Sequence, residues 1–254
     1  MSFAVGADAY DRFMGRYSVG LAPAFADFAA VNRGQKVLDV GCGPGALTGE
    51  LDRRLGAEHV SAVDPSESLV AAARARYPDV DVQRAAAESL PFADDSFDAA
   101  LAQLVVHFMV DPVAGLREMA RATRRRGVVA ACVWDHGGGQ GPLSLFWEEA
   151  RALDPSIDDE SELAGAREGD LAKLFARAGV TNVVDGALTV TAEHATFDEW
   201  WEPFTLGVGP AGAHVRGLDP DAQQELRERC RGRLPSAPFT VTAKAWAARG
   251  LAEK

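Results

Sequence analysis

Val37-Leu38-Asp39-Val40-Gly41-Cys42-Gly43-Pro44-Gly45 is the stretch that decides the fold of this 254-residue chain. It ends a short apolar strand, predicted over residues 36–40, and turns through three glycines into a helix. Glycine lets the backbone approach a ligand closely and adopt dihedral angles that other residues avoid. In an open parallel sheet, such a turn lies at the carboxyl edge of the strands, where ligands bind. The stretch therefore predicts a ligand site in an α/β domain.

Strand and helix patterns alternate after this turn, which is typical of a parallel sheet covered by helices. The later strands are predicted at residues 59–63, 80–84, 97–102, 128–134, 183–191 and 239–246. Leu47, Leu51 and Leu55 recur every four residues and predict one apolar helix face.

Composition and charge exclude several classes of function. The formal net charge of −11 argues against nucleic acid as a partner, since phosphate binding needs a basic face. No apolar stretch approaches the roughly 20 residues of a membrane span, and the first residues lack the apolar core of a signal peptide. The three cysteines form no CxxC pair and predict neither a disulfide framework nor a metal site. We therefore expect a cytoplasmic protein that binds no metal.

Two carboxylates accompany the glycine turn. Asp64 ends the second predicted strand, 19 residues after Gly45, where a carboxylate can accept both ribose hydroxyls of an adenosine. It could instead cap the next helix, although Ser66 is better placed for that. Asp39 lies inside the first strand and could hold the loop amides or, through water, a ligand amine. The G-x-G-x-G spacing differs from the G-x-G-x-x-G of a pyrophosphate binder.

These residues resemble the class I S-adenosylmethionine-dependent methyltransferases, particularly the methyltransferase type 11 subgroup that includes ubiquinone and menaquinone biosynthesis enzymes. Val37–Gly45 is similar to the first motif of that family, and Ala85–Phe92 followed by Asp95–Asp98 is similar to its segment after the third strand. The resemblance covers about residues 35–135. It implies a Rossmann-like, doubly wound α/β fold whose mostly parallel, seven-stranded sheet has an antiparallel edge strand and a small helical cap.

The resemblance also implies S-adenosyl-L-methionine as cofactor and methyl transfer to a small-molecule acceptor by in-line displacement. Backbone contacts to the methionine and ribose are implied for Gly41, Cys42, Gly43 and Gly45, and the ribose diol is implied to bind Asp64. Pro65 and Ser66 would lie beside the adenine, with Ala87 and Glu88 at its edge. Gln103 and Leu104 would border the methionyl part.

One position departs from the family pattern. Ala86 stands where the family usually has an aspartate that reads the adenine amino group. Either Glu88 replaces that hydrogen bond or the bond is missing, at a cost of about 1 kcal/mol.

The chain is expected to divide into an N-terminal helical segment, residues 1–34, and a methyltransferase domain, residues 35–254. Cap insertions are predicted at about residues 136–179 and 196–235. In similar enzymes such an N-terminal segment closes over the cofactor, so Arg16 and Tyr17 are candidates to touch it. The alternative is a surface helix packed by its aromatic side chains.

The acceptor site is expected beside the ends of the fourth and fifth strands. His107 is a candidate general base, since the pKa of histidine suits neutral pH; Asp135 and His136 form a weaker candidate pair. A histidine buried for structural reasons is the alternative. Aromatic residues of the cap are candidates to line the acceptor pocket: Trp134, Phe146, Trp147, Trp200, Trp201 and Phe204. The glycine-containing segment 209–220 is predicted to be a flexible loop.

Two other functions remain open from the sequence. Ala86 leaves room for a methyltransferase-like protein that binds the cofactor, or nothing, without transferring methyl groups. A nicotinamide dehydrogenase is disfavoured by the glycine spacing. The acceptor atom and the oligomeric state are not readable from the sequence.

Overall fold

The computed structural model describes residues 7–253. Its sheet contains seven strands: β1 (Val37–Val40), β2 (Val60–Asp64), β3 (Asp81–Arg84), β4 (Phe97–Gln103), β5 (Thr123–Trp134), β6 (Thr181–His194) and β7 (Phe239–Leu251). They are arranged in the order β3-β2-β1-β4-β5-β7-β6. The strands from β3 to β5 pair in parallel, whereas β7 runs antiparallel to both β5 and β6. The predicted doubly wound, mostly parallel sheet is confirmed; its antiparallel strand lies second from the edge, and β6 forms the edge.

The described part of the chain contains ten α-helices: α1 (Ala7–Tyr10), α2 (Arg16–Phe28), α3 (Ala46–Leu55), α4 (Glu67–Arg76), α5 (Pro112–Ala122), α6 (Ser144–Leu153), α7 (Asp170–Ala178), α8 (Phe197–Thr205), α9 (Gly209–Gly217) and α10 (Pro220–Arg233). A π-helical turn, Asp11–Gly15, joins α1 to α2. None of the helices in residues 7–253 has the length and apolar character needed to cross a membrane.

The core lies on both faces of the sheet because successive residues of a strand point to opposite sides. Val37 packs into one apolar layer with residues of α2, α3 and α4. Leu38 and Val40 pack into the other, with residues of α5 and α7. All four residues of β1 are buried, as expected for a central strand covered on both faces.

The cap consists of α6, α8, α9 and α10, joined by aromatic packing. The rings of Phe146 on α6 and Phe204 on α8 stack with centroids 4.5 Å apart. Residues 209–217, predicted to be a flexible loop, instead form α9. Pro210 occupies the first turn of that helix, where proline is well tolerated, and Ala211 and Val215 are buried beneath it. The prediction of a flexible loop was wrong because these two side chains pack into the cap.

Helix α7 falls inside the first predicted cap insertion but belongs to the layer that covers the sheet. Its Leu171 and Phe175 are buried in the same apolar cluster as Leu116 of α5. The cap portion of residues 136–179 therefore ends before Asp170.

A polar cluster around His194, at the end of the edge strand β6, attaches the N-terminal segment to the sheet. Arg16 Nη1 lies 3.1 Å from His194 Nδ1, and Tyr17 Oη lies 3.1 Å from His194 Nε2. Arg16 Nη2 also donates to Glu199 Oε1 of α8 at 2.9 Å. The His194 ring stacks on Phe239, with centroids 5.3 Å apart. Burial and the neighbouring guanidinium of Arg16 lower the pKa of His194 to about 4, so the imidazole is neutral near pH 7.

This polar cluster predicts an acid-sensitive contribution to stability. The pKa of His194 is about 4 when folded against 6.5 for an ordinary histidine. The unfolded chain therefore binds the proton more tightly, and stability is lost as the pH falls from 6.5 towards 4. Between pH 7 and pH 5, we expect the wild type to lose about 1 kcal/mol more unfolding free energy than His194→Gln. Urea denaturation at both pH values measures this difference. An equal loss of unfolding free energy in the wild type and in His194→Gln would contradict this prediction.

Candidate functional site

The glycine turn after β1 is held against the end of β2 by backbone hydrogen bonds. Gly41 N and Cys42 N both donate to Val63 O, at 2.8 and 2.9 Å. Gly41 and Gly43 have φ angles of +73° and +54°, which favour glycine. A Cβ on Gly41 would lie 2.3 Å from a methyl carbon of Val105, whereas one on Gly43 would meet no atom within 4 Å. The turn is therefore packed on one side and open on the other.

Asp64 points at this turn. Its Oδ2 accepts a hydrogen bond from Gly43 N at 2.9 Å, and its Oδ1 accepts one from Ser66 N at 2.9 Å. Burial raises the pKa of Asp64, and the two backbone N–H groups oppose that rise. Each carboxylate oxygen can accept more than one hydrogen bond, so the held carboxylate retains acceptor capacity towards the open side of the turn.

A cleft of about 730 Å³ opens beside Gly43 and Asp64, at the carboxyl ends of β1, β2 and β4. Because the chain leaves β1 towards β2 on one side and β4 lies on the other, this is the switch point of the sheet. Ten of the predicted cofactor residues line this cleft: Gly41, Gly43, Asp64, Pro65, Ser66, Ala86, Ala87, Glu88, Gln103 and Leu104. The structure thus brings four separate stretches of the sequence to one cleft.

Asp39 lies beneath the turn rather than at the cleft surface. Its Oδ2 accepts a hydrogen bond from Thr48 of α3 at 2.7 Å, and its Oδ1 has no hydrogen-bond partner among residues 7–253. Burial, reinforced by the charge of Asp64, raises the pKa of Asp39 to about 7. The carboxyl group is therefore close to half ionised at neutral pH.

Gln103 at the end of β4 has a similar unsatisfied acceptor. Its Nε2 donates to Ser18 O of α2 at 3.0 Å, which ties the N-terminal segment to the cleft. Its Oε1 has no hydrogen-bond partner within the described part of the chain. Buried acceptors without partners are rare in proteins, so Gln103, which lines the cleft, indicates a place where a donor group of a ligand would bind.

Glu88 fixes the opposite wall of the cleft. Its Oε1 accepts hydrogen bonds from Val110 N at 2.8 Å and Asp111 N at 3.2 Å, which holds the start of α5. Ala86 is exposed and lines the cleft beside it. Glu88 is thus positioned to border a ligand, but one of its oxygens is already engaged by the backbone.

Five predicted cofactor residues lie elsewhere. Cys42 and Gly45 shape the turn, and Asp39 supports it from below; the Cys42 thiol is buried, which raises its pKa well above the ordinary value. Arg16 and Tyr17 do not line the cleft. Both contact His194, beside a small cavity at α8 that is separate from the cleft. The structure thus places them in the attachment of α2 to β6, outside the lining of the cleft.

Tyr10 of α1 is the residue of the described N-terminal segment, from residue 7 on, that lines the cleft. Burial raises the pKa of its hydroxyl to about 12, opposed by a side-chain hydrogen bond with Ser18. The sequence offered no signal for Tyr10 over Tyr17, because both occur in the same short helical stretch and only the path of α1 separates them.

A separate cavity of about 40 Å³ adjoins the cleft. We call this smaller cavity the histidine cavity. It is lined by Tyr10, Phe13, Met14, Leu104, His107, Phe108, Trp134, His136, Leu143, Glu160, Val208, Gly209 and Pro210. Tyr10, Leu104 and Phe108 line both the cleft and this cavity. A molecule in the histidine cavity would therefore be in contact with the walls of the cleft.

Two histidines and one carboxylic acid face the histidine cavity. The rings of His107 and His136 lie with centroids 5.7 Å apart. Nδ1 of His107 and Nε2 of His136 have no hydrogen-bond partner among residues 7–253. Glu160 is 4% exposed, and its Oε2 accepts from Trp147 Nε1 at 2.8 Å. Sequence reasoning missed Glu160 because it lies in an irregular acidic stretch between α6 and α7.

The predicted pair of Asp135 and His136 is not formed. Asp135 Oδ1 accepts hydrogen bonds from Gly138 N and from Trp246 Nε1, at 2.8 and 2.9 Å. Its other oxygen lies 3.5 Å from Lys244 Nζ on β7. Asp135 therefore fixes the loop after β5, while the adjacent His136 faces the histidine cavity.

The six predicted aromatic residues separate into different roles. Trp134 lines the histidine cavity. Trp200 and Phe204 line the separate small cavity at α8. Phe146, Trp147 and Trp201 are at most 4% exposed and pack in the interior of the cap. Both tryptophans of α8 are buried, so the aromatic content of the cap serves packing more than lining of the histidine cavity.

Comparisons with known proteins match this architecture. Residues 38–131 match the family described as "Methyltransferase domain". The chain is 39% identical over 128 residues to a demethylmenaquinone methyltransferase of Mycolicibacterium paratuberculosis, which covers 50% of each chain. It is 38% identical over 104 residues to a malonyl-[acyl-carrier protein] O-methyltransferase of Erwinia billingiae, which covers 41% of each. The match thus spans half or less of these curated relatives.

A likeness to solved structures extends over the whole fold. The crystal structure of an S-adenosylmethionine-dependent methyltransferase from Thermotoga maritima has a TM-score of 0.58 and 18% identity to this chain, with 97% of this chain and 96% of that one covered. At this identity the likeness concerns the fold. Residues 38–131 thus match a methyltransferase domain, and the fold of the chain is like that of a solved S-adenosylmethionine-dependent methyltransferase.

Proposed function

We propose that this protein transfers a methyl group from S-adenosyl-L-methionine to a small-molecule acceptor. The observation that carries the proposal is the hydrogen bond between Asp64 Oδ2 and Gly43 N, because it brings the acidic end of β2 and the glycine turn to a single nucleoside-sized cleft. The cofactor supplies an activated methyl group on a sulfonium. The protein itself has to bind the cofactor and the acceptor, align them and exclude water.

The residues present fit this cofactor. Asp64 offers acceptor capacity for a ribose diol, and the open side of Gly43 lets a ligand approach the backbone. The unsatisfied oxygen of Gln103, which lines the cleft, suits the ammonium group of a methionyl chain, with Asp39 beneath the turn as a nearby negative charge. Pro65, Ser66 and Ala86–Glu88 border the part of the cleft left for an adenine. Ala86 offers no side-chain hydrogen bond there, which costs about 1 kcal/mol of binding free energy.

The rest of the chain positions the acceptor and keeps water out. Tyr10 covers the boundary between the cleft and the histidine cavity, and Gln103 holds α2 over the same region. We further propose that the protein acts in the cytoplasm and binds no nucleic acid, in keeping with its net charge of −11 and its three buried free cysteines.

Asp64→Asn tests the cofactor site. The amide keeps the size of the side chain but replaces one acceptor oxygen with an NH2 group. This group cannot accept a hydrogen bond from Gly43 N or from a ribose hydroxyl. We expect the affinity for S-adenosylhomocysteine, measured by isothermal titration, to fall at least tenfold, or about 1.4 kcal/mol. Asp221→Asn, an exposed carboxylate of α10, should bind like the wild type.

The same titration separates the competing functions. A wild type that binds NADH tightly and adenosylhomocysteine not at all would indicate a dehydrogenase and overturn the proposal. Binding of adenosylhomocysteine without turnover of labelled adenosylmethionine, in the presence of a metabolite extract, would indicate a catalytically silent protein.

Binding of the cofactor is also expected to release a proton near neutral pH. The pKa of Asp39 is about 7 in the free protein, and a cationic ligand beside it would favour the carboxylate. We therefore expect release of about half a proton per ligand at pH 7 and tighter binding at pH 8 than at pH 6. Isothermal titration in buffers of different ionisation enthalpy measures the release.

Asp39→Asn is the matched variant, since it keeps an oxygen to accept the hydrogen bond from Thr48. We expect no proton release on ligand binding by this variant. If Asp39→Asn releases as much as the wild type, another group is responsible and Asp39 does not sense the ligand.

A further inference from the structure

The cleft spans the carboxyl ends of four neighbouring strands. In the order of the sheet, the end of β4 carries Gln103, the end of β2 carries Asp64, and the segment after β3 carries Ala86. Neighbouring strands lie about 4.8 Å apart, so about 14 Å separate the ends of β4 and β3. A cofactor with its ammonium group at Gln103 and its ribose at Asp64 therefore has its base at the end of β3.

This base end of the cleft is formed by residues 65–69 and 86–88 together with Arg84. The guanidinium of Arg84 is bound within the protein. Its Nε donates to Pro65 O at 3.1 Å, and its Nη1 donates to Glu67 Oε2 at 3.3 Å. Both charged side chains are therefore engaged with each other or with the backbone.

The other polar side chains of the base end also have partners. Glu88 Oε1 accepts from Val110 N at 2.8 Å and from Asp111 N at 3.2 Å, so its carboxylate is bound to the backbone just before α5. The hydroxyl oxygens of Ser66 and Ser68 lie 3.1 Å apart, within hydrogen-bond distance. The folded chain thus uses these groups for its own contacts.

Ala86 leaves the base end open. It is exposed and its side chain ends at Cβ, so it offers no acceptor for an amino group and no wall against a larger group. Leu69 and Met109 add apolar surface to the same cleft, whose volume is about 730 Å³. A purine can therefore pack here by its shape, with space left beyond its exocyclic nitrogen.

Resting on the proposed function, we infer that Ala86 sets the specificity of this protein for the base of its cofactor. The purine is bound by shape, and no side chain reads its exocyclic amino group. Cofactors in which that group is missing or carries a substituent are therefore also accepted. A site that hydrogen-bonds an amino group rejects analogues without it, because its own polar group is then left unpaired. Ala86 has no such group to leave unpaired.

The first test is isothermal titration of the wild-type protein with three ligands. They are S-adenosylhomocysteine, the analogue whose base is unsubstituted purine, and the analogue with a benzyl group on the exocyclic nitrogen. We expect the three dissociation constants to agree within about threefold. A hydrogen bond from the amino group to a carboxylate would instead weaken the purine analogue by about tenfold or more.

Two variants of Ala86 separate hydrogen bonding from steric exclusion. Ala86→Asp adds an acceptor, and we expect it to bind adenosylhomocysteine about 3- to 10-fold more tightly than the wild type does. Its affinity for the purine analogue should be unchanged. Ala86→Leu adds a side chain of similar shape without an acceptor. We expect it to bind adenosylhomocysteine like the wild type and the benzyl analogue at least about tenfold more weakly, because leucine fills the space that the benzyl group needs.

Three results would overturn this inference alone. The first is that the wild type binds either analogue more than about threefold more weakly than adenosylhomocysteine. The second is that Glu88→Gln removes such a difference, which would assign the reading of the base to Glu88. The third is that Ala86→Asp binds the purine analogue more tightly by the same factor as adenosylhomocysteine, which would make its effect one of charge. If adenosylhomocysteine itself does not bind to the wild type, the proposed function fails and this inference with it.

Discussion

The contact between Asp64 and the amide of Gly43 is the constraint on which the site depends. It joins the end of β2 to the turn after β1 at 2.9 Å, and the amides of Gly41 and Cys42 add two further hydrogen bonds to Val63 O. The turn can take this path only because glycines adopt positive φ angles and leave room for the Val105 side chain. The geometry of the cleft follows from backbone groups at the ends of β1 and β2, which vary less in position than side chains on loops.

Around this rigid base, the covering elements are attached by side chains. Gln103 binds α2 through Ser18 O, and Arg16 and Tyr17 bind the same helix to β6 and α8 around a neutral His194. Glu149 of α6 is almost fully buried and accepts from Arg229 and Arg233 of α10 at 2.9 and 2.6 Å, which closes the cap. The cleft is thus built by the sheet, and its cover is built by polar contacts between distant segments.

The parts of the fold that repeat a local pattern could be predicted from the sequence. The strands, the glycine turn and the position of Asp64 depend on short-range periodicity and on the rule that parallel strands end at one edge. Arg16 and Tyr17 could not be placed, because their orientation depends on a contact with His194, almost 180 residues away. Glu160 gave no signal, since nothing in an irregular acidic stretch distinguishes a buried carboxyl group from exposed ones. Helix α9 was missed because its glycines weigh against a helix locally, while burial of Ala211 and Val215 decides the outcome.

The two cavities differ in how many parts of the chain contribute to them. The cleft draws mainly on the ends of four strands within residues 41–110, the region that also carries most of the family match. The histidine cavity takes one to three residues from each of six stretches, from Tyr10 to Pro210, and five of those stretches lie outside residues 38–131. The residues of four of these stretches, 134–136, 143, 160 and 208–210, line the smaller cavity and do not line the cleft. Such a division would let related chains change the lining of the smaller cavity while the larger cleft stays constant.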